Sequence, residues 1–313
     1  MERRSVLKRS AGLLLFILFL FLQMAIVTEA RAENIHVITI KTHYDQTEAR
    51  RLLRLVNSFR TGAGVWHYDE DENRISDNDL SELKWDYGLE RVAQKRAAEA
   101  AVMFSHTRPD GSSCFTAYTT GDGWQGENVA RLYDSAESVL EAWKETDESY
   151  DGQSHRRNLL DRNFEYMAAA CVTYRGTCYW AMEFCSEPLD LSFADADDDS
   201  HTDSIRVDIA GDAYVKSSTG STRFRLSSGE AFALPRIYGL FRINGSNRLF
   251  KTELPVSWSL SDPSFGDIAD GEVTVRENAV TTVHGSFSFL DKDYECDYLL
   301  DSRERLRTVK KGF

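Results

Sequence analysis

The sequence predicts an α+β protein whose first half combines helices with a β-hairpin and whose second half is all β. Three segments between residues 45 and 143 carry apolar or small residues at helical spacing. Two apolar runs separated by a short glycine turn follow between Tyr166 and Cys185. After residue 204 the chain consists of short alternating runs broken by turn residues, a pattern typical of a β-sandwich.

The first 32 residues differ from the rest of the chain. A basic N-terminal stretch precedes an apolar run from Ala11 to Val27, and Ala30 and Ala32 supply the small residues of a cleavage site. We therefore expect a signal peptide over residues 1–32. The alternative is an uncleaved anchor, although the run is short for a membrane span, which takes about 20 residues. Both interpretations place the remainder outside the cytoplasm, either secreted or anchored and facing outward.

The chain is acidic, with a formal net charge of −13. Without residues 1–32, which contain five basic and two acidic residues, the charge becomes −16. This charge disfavours nucleic acid and anionic membrane surfaces as partners. Residues 33–313 are long enough to bury a core, and their length favours two domains.

Five cysteines suggest structural disulfides in an exported chain, and the odd number leaves at least one thiol unpaired or paired elsewhere. Their spacing lacks the close Cys-x-x-Cys pair typical of a structural zinc site. They are Cys114, Cys171, Cys178, Cys185 and Cys296.

The N-terminal arm, residues 33–46, is prone to form a strand, and a first helix is predicted to follow. Asp45 and Glu48 form a capping-box pattern, and the helix is expected to end near Gly62. A second helix is predicted from Leu89 to Phe104. It is rich in alanine, which lets neighbouring elements approach closely, so we expect it to be central.

His106 follows the second helix directly and precedes the turn Arg108–Gly111. A third helix is predicted to start at the capping-box pattern of Asp134 and Glu137, and to carry an apolar stripe that ends at Trp143. A polar run then leads to His155, which opens a short segment that apolar residues attach to the core. We expect core positions for Trp124, Trp143 and Trp180.

The hairpin between Tyr166 and Cys185 is predicted to turn over three residues, Arg175 to Thr177. This register places Cys171 opposite Ala181 and Cys185 opposite Met167, too far apart for a disulfide between the two cysteines. Cys114 is then the plausible partner of one of them.

Residues 187–204 are predicted to form an acidic linker, and residues 205–313 a β-sandwich. About seven short strands are expected there. The lone His284 is interpreted as an ordinary surface or strand residue.

Three residues with reactive side chains occur in order: His106, Glu127 and His155. If the fold brings them together, two imidazoles and a carboxylate form a site that can hold a metal ion or move a proton. His106 and His155 are the predicted metal ligands, and a divalent ion such as zinc is the predicted cofactor.

Residues 47–186 resemble the CAP superfamily of cysteine-rich secretory, antigen 5 and pathogenesis-related 1 proteins, in its bacterial SCP-like extracellular branch. The motifs that carry the resemblance occur in the family's order and are LKWDYGLERVAQKRAAEAA, FSHTRPDG, GENVA, AWKE, SHRRNLL and YWAMEF. The resemblance implies an α-β-α sandwich with a cleft in which two histidines and two acidic residues face each other. His106, Glu127 and His155 match three of these four positions.

The fourth cleft position departs from the family pattern. Related eukaryotic proteins place a glutamate three residues after the tryptophan of the third helix, whereas Thr146 occupies that place here and Glu145 comes one position early. One residue turns a helical side chain by about 100°. Glu145 is therefore expected to reach the cleft only if the helix is distorted.

The C-terminal stretch LPVSWSLSDPSFGDIADGEVTV resembles bacterial immunoglobulin-like domains of type 2. This resemblance implies an immunoglobulin-like β-sandwich over residues 205–313. Such domains commonly extend or present a neighbouring domain at a cell surface.

Three functional hypotheses remain open. The first is a non-enzymatic binding module that takes a lipid or sterol, a metal ion, or a cell-surface or extracellular protein. The second is a metal-assisted protease or esterase in which Glu127 takes a proton from water and a histidine returns one. The third gives the cleft residues only a structural role. The absence of an evident Ser, Cys or Lys nucleophile favours the binding module over the enzyme.

Overall fold

The structure is a computed structural model that describes residues 34–118, 123–189, 200–227, 229–247, 249–276 and 279–303. The predicted signal peptide and residues 190–199 of the predicted linker lie outside these ranges. By its internal contacts the chain divides into residues 1–35 and residues 36–313, and the description below concerns the second unit.

The described part contains four α-helices and seventeen strands. The helices are α1 (Gln46–Arg60), α2 (Tyr87–Val102), α3 (Ala136–Trp143) and α4 (Ser154–Leu160). The strands up to residue 185 are β1 (Ile35–Asp45), β2 (Trp66–Tyr68), β3 (Arg74–Ser76), β4 (Lys84–Trp85), β5 (Gln125–Arg131), β6 (Tyr166–Tyr174) and β7 (Thr177–Cys185). The later strands are β8 (Ser200–Ser217), β9 (Arg223–Arg225), β10 (Ala231–Ala233), β11 (Ile237–Ile243), β12 (Leu249–Leu254), β13 (Ser257–Leu260), β14 (Gly266–Ala269), β15 (Glu272–Val275), β16 (Val280–Phe289) and β17 (Lys292–Asp301).

Side-chain caps set the starts of the helices. The Asp45 carboxylate accepts a hydrogen bond from the Glu48 backbone N–H at 3.0 Å, which confirms the predicted start of α1. The capping box of α3 is formed by Ser135 and Ser138. The prediction that Asp134 and Glu137 form this box is therefore wrong by one residue.

The central sheet lies between helices on both faces, which confirms the predicted α+β class and the α-β-α arrangement. Alternate residues of a strand point to opposite faces. On β6, Met167, Ala169 and Cys171 pack with α1, α3 and α4, whereas Ala170 and Val172 pack with α2. The strand order is β12-β11-β8-β1-β6-β7-β5, and β4 also pairs with β6.

The β6–β7 hairpin turns over two residues rather than the predicted three. Tyr174 pairs with Thr177, and the turn residues Arg175 and Gly176 have φ values of 50° and 78°. Two successive positive φ values are the mark of a type I′ turn, which matches the twist of the strands. As a result Cys171 lies opposite Trp180 instead of Ala181.

The predicted disulfide is absent from this structure, in which all five cysteines are free thiols. Cys171 packs among residues of the α1, α3 and α4 face. Cys114 instead lies beside Glu127 and Arg96, on the face that α2 covers. The sheet therefore separates Cys114 from Cys171, which explains why these two thiols do not pair.

The residues after the predicted linker are all β, as predicted. The long strand β8 continues the central sheet next to β1, and β11 and β12 extend the sheet further. The other strands form a three-stranded sheet, β10-β15-β14, and a four-stranded sheet, β13-β16-β17-β9. A second apolar cluster joins these two sheets and includes Phe232, Phe265 and Val283. No helix in the described ranges is long and apolar enough to cross a membrane.

Candidate functional site

The first of two histidine–carboxylate pairs joins His106 to Glu127. Glu127 lies on β5 and is 4% exposed, and its Oε1 is 2.7 Å from His106 Nδ1. Arg96, buried on α2, donates to the same carboxylate from Nε at 2.6 Å and from Nη2 at 3.3 Å. The Glu127 carboxylate is thus held between a guanidinium and an imidazole.

The loop that carries His106 is fixed by its own hydrogen bonds. The Cys114 backbone N–H donates to the His106 carbonyl at 3.0 Å, and Arg96 Nη2 donates to the Ser105 carbonyl at 2.8 Å. Arg108 forms an ion pair with Glu99 of α2 at 2.7 Å. These bonds attach the loop that carries His106 to α2.

The charges around Glu127 favour its ionised form. Burial by itself would raise the pKa of Glu127, but hydrogen bonds from His106 and Arg96 and the positive charge of Arg96 lower that pKa below its usual value. The buried Arg96 in turn has a raised pKa, because hydrogen bonds and charges from Glu127 and Glu99 outweigh its desolvation. Glu127 is therefore a carboxylate at neutral pH.

The second pair joins His155 to Glu145. Helix α3 ends at Trp143, and Glu145 has a φ of 45°, so the chain leaves the helical path before this residue. Its carboxylate accepts hydrogen bonds from the backbone N–H groups of His155 and Arg156 at 2.9 and 3.1 Å, and contacts His155 Nδ1. The chain is thus distorted at Glu145, and its carboxylate reaches His155.

Two asparagines connect the pairs. Asn158 on α4 donates to the Glu127 carbonyl at 3.1 Å and to Asn128 Oδ1 at 2.8 Å. Asn128 on β5 donates to the His155 carbonyl at 3.1 Å. Both pairs are therefore attached to the dipeptide Glu127–Asn128. Each asparagine was within a motif of the sequence, but its bonding partner depends on how α4 meets β5.

Part of the chain matches the sequence model of a known protein family. Residues 53–185 match the sequence model of CAP, the cysteine-rich secretory protein family. The CAP domain is the name used below for this matched part of the chain, residues 53–185. The match ends at residue 185, so the immunoglobulin-like character of residues 205–313 stays a prediction.

Several solved structures are similar to the chain over about half of its length. An outer surface protein from Borrelia burgdorferi has 16% identity and a TM-score of 0.35, with 50% of this chain and 98% of that chain covered. A cysteine-rich secretory protein from Staphylococcus aureus has 17% identity and a TM-score of 0.32, with 46% and 40% covered. NaASP2 with Zn²⁺ has 13% identity and a TM-score of 0.34, with 45% and 80% covered. No curated protein sequence matches the chain.

A thiol lies beside the first pair of the CAP domain. Ligand-type atoms of His106, Cys114 and Glu127 lie within 4.8 Å of one another, and His155 is not part of this set. Burial raises the pKa of the Cys114 thiol to about 12. Arg96 and His106 already hydrogen-bond to both Glu127 oxygens, so a cation bound by this set would have to replace one of these contacts.

The tryptophans near the site differ in exposure. Trp143 and Trp180 are buried, as predicted, at 1% and 0% exposure. Trp124 is 64% exposed, so its predicted core position is wrong. Phe115, which directly follows Cys114, is 40% exposed. The CAP domain thus presents large apolar side chains at its surface close in sequence to Cys114 and Glu127.

Proposed function

We propose that the CAP domain is a binding module that takes a divalent metal ion such as zinc on the Nε2 atoms of His106 and His155. The observation that carries this proposal is the contact that each of the two imidazole rings makes with a carboxylate. In each ring, Nδ1 contacts a carboxylate, of Glu127 or Glu145, which leaves Nε2 for a ligand. Histidines that bind metals in proteins commonly donate their other ring N–H to a carboxylate.

The donor set suits the ion. Neutral imidazole is an ordinary ligand of zinc, and the carboxylate behind each ring fixes the tautomer and increases the basicity of the ligating nitrogen. Two protein ligands leave coordination positions open, so a bound ion would offer them to a donor atom of a further ligand.

The further ligand is proposed to be a lipid or sterol, or an extracellular protein. The support is the exposure of two large apolar side chains, Phe115 and Trp124, in the segment between Cys114 and Glu127. A secreted or cell-surface location belongs to the same proposal, and the basic and apolar start of the sequence supports it.

The hydrolase alternative receives less support from the geometry. A nucleophilic mechanism needs an activated side chain beside a base. The thiol next to His106 is Cys114, and burial raises its pKa to about 12, so it is protonated and a poor nucleophile at neutral pH. In the metal-assisted mechanism Glu127 would take a proton from water, but Arg96 and His106 already hydrogen-bond to its two oxygens and lower its pKa, which makes it a weak base. We therefore propose binding as the function of the two histidine–carboxylate pairs.

Zinc titration of purified residues 33–313, followed by thermal unfolding, tests the proposal. An ion that binds only the folded protein raises the midpoint temperature of unfolding. At an ion concentration one hundred times the Kd, binding stabilises the folded state by about 2.7 kcal/mol. We expect the double variant His106→Ala/His155→Ala to lose this rise.

The matched control is His284→Ala. His284 also has its Nδ1 on a carboxylate, that of Asp297 at 2.7 Å, but it lies on β16 away from the CAP sequence. This variant should keep the zinc response of the wild type. An unchanged response in the double variant, or no response in the wild type, would overturn metal binding by the two histidines.

A further inference from the structure

A second buried glutamate lies directly across the sheet from Glu127. Strands β5 and β7 are antiparallel, and their register places Glu127 opposite Glu183. Both residues are buried, with exposures of 4% and 0%. Like charges directly opposite on one face of a sheet repel each other, and the repulsion is strongest where water is excluded. The two carboxyl groups are thus unfavourable as a doubly ionised pair.

The basic side chains next to this pair of glutamates contact Glu127 and not Glu183. Arg96 and His106 both hydrogen-bond to the Glu127 carboxylate. Glu183 Oε2 instead accepts a hydrogen bond from the neutral Tyr118 hydroxyl at 2.8 Å. That hydroxyl has one hydrogen and also lies 3.1 Å from the Gly126 carbonyl and 3.2 Å from the Phe184 carbonyl. Glu183 therefore has no cation of its own.

The other oxygen of Glu183 has no donor. Oε1 is buried and finds no hydrogen-bond partner within the described ranges. An ionised carboxylate in that position would carry an acceptor that nothing satisfies, which is costly in a buried site. A proton on Glu183 turns this acceptor into a donor, and the Glu127 carboxylate across the strand pair can accept it.

We propose that Glu183 is a neutral carboxylic acid at neutral pH, so that Glu127 carries the single negative charge of the pair and orients His106. Glu183 is in this sense a positioning residue that acts through Glu127. The proposal goes beyond metal binding, because it concerns the protein without any ion.

The surroundings of Glu183 agree with a retained proton. Burial, followed by the Glu127 charge, raises the pKa of Glu183 well above its usual value. The titratable and charged groups that face Glu183 are Glu127 from β5, Arg96 from α2, Tyr118 and Cys114 from the segment after α2, and Cys185 from β7 itself. On β6 the opposite residue is Ala168, which does not titrate.

The variant Glu183→Gln tests the proposal, because its amide imitates the shape and the donor of the neutral acid. A carboxyl group whose pKa is higher in the folded than in the unfolded state stabilises fully below the unfolded pKa, and this contribution is lost as the pH rises towards the folded pKa. Wild-type stability should therefore fall relative to that of Glu183→Gln above about pH 4.5, the range in which an unfolded glutamate ionises.

Urea unfolding of both proteins in chelator at pH 5, 6, 7 and 8 gives the readout. We expect the folding equilibrium constant of the wild type to fall relative to the variant by up to about tenfold per pH unit. The exposed control Glu141→Gln should keep a constant ratio to the wild type, since Glu141 has a side-chain exposure of 72%. A constant ratio for Glu183→Gln would overturn the proposal.

Infrared spectroscopy of the wild type provides a test that does not require the variant to fold. At pH 7 the spectrum should contain the carbonyl band of a protonated carboxylic acid, and that band should be lost in folded Glu183→Gln. Absence of the band in the wild type would overturn the proposal. Both measurements are made without metal, so their failure is distinguishable from a failure of zinc binding.

Discussion

Glu145 joins the end of α3 to the start of α4 through hydrogen bonds to His155 and Arg156. The Glu145 side chain is 12% exposed. If its carboxylate were removed, little water could reach the two backbone N–H groups to accept their hydrogen bonds. We predict that Glu145→Ala lowers the free energy of unfolding by about 1–3 kcal/mol, the cost of leaving buried donors unsatisfied. Urea denaturation measures this change.

Glu141→Ala is the matched control for Glu145→Ala. Glu141 is a mostly exposed glutamate one turn earlier, and it forms a surface ion pair with Lys144 at 2.8 Å. Such pairs contribute little, so we expect a change below about 0.5 kcal/mol. Equal losses in the two variants would show that the backbone hydrogen bonds of Glu145 do not stabilise the start of α4.

The candidate residues could be predicted from the sequence, whereas most of their contacts could not. His106, Glu127 and His155 stand in recognisable motifs, and the structure places His106 against Glu127. The sequence does not predict the contact of Glu145 with His155, because a regular helix would turn Glu145 away by about 100°. Its positive φ has no signal in the sequence, since glycine and asparagine are the residues that usually mark this conformation.

Glu183 was missed for a different reason. It stands in an apolar strand whose pattern indicates a buried position, but nothing local shows which residue it faces. Its relation to Glu127 depends on the register of β5 against β7, which is a contact between residues 56 positions apart in the sequence. A pairing of this kind is set by the packing of the whole sheet.

At the scale of elements, the β6–β7 turn gives a direct test of backbone strain. Gly176 has a φ of 78°, and a Cβ added there would meet no atom within 4 Å. The cost of Gly176→Ala is therefore conformational, and we expect a loss of about 1–2 kcal/mol in the free energy of unfolding. Chemical denaturation measures it.

Gly220→Ala is the control for the turn. Its Cβ would also meet no atom within 4 Å, but its backbone does not lie in the left-handed region. We expect little change or a slight gain in stability there, because alanine restricts the unfolded chain. A Gly176→Ala protein as stable as the wild type would argue against a type I′ turn.

The hairpin also shows why the cysteine register was predicted incorrectly. The glycine indicated a turn, but its length depends on whether Arg175 adopts a positive φ, which is uncommon for arginine. Counting three turn residues instead of two shifts every pair of the hairpin by one. The existence of the hairpin was therefore predictable, whereas its register was not.

At the scale of the whole molecule, the central sheet continues from the CAP sequence into the C-terminal residues. Ile38 and Ile40 of β1 belong to the same apolar cluster as Val207 and Ile209 of β8. The change from helical to alternating pattern after residue 204 was visible in the sequence, and it predicted the all-β second half. The pairing of β8 with β1 was not visible, because it joins segments far apart in the chain.

This shared cluster predicts that the CAP domain and the following residues depend on each other for stability. Phe241 on β11 is 2% exposed and packs in the cluster with Ala98 and Val102 of α2. Phe241→Ala should lower the free energy of unfolding by about 3–5 kcal/mol, the usual cost of truncating a buried aromatic ring. The loss should extend to the CAP domain, because the cavity borders α2.

Tryptophan fluorescence can follow the CAP domain by itself in a Trp258→Phe background, since the remaining tryptophans all lie between Trp66 and Trp180. We expect Phe241→Ala to lower the urea midpoint of this signal. Phe265→Ala, a comparable truncation in the separate C-terminal cluster, should lower it much less. If Phe241→Ala left the midpoint unchanged, the two halves would be independent domains joined by a linker.

A lowered midpoint would instead mean that the strands after residue 200 stabilise the CAP domain that holds His106 and His155, because β8 pairs with β1 in the same sheet.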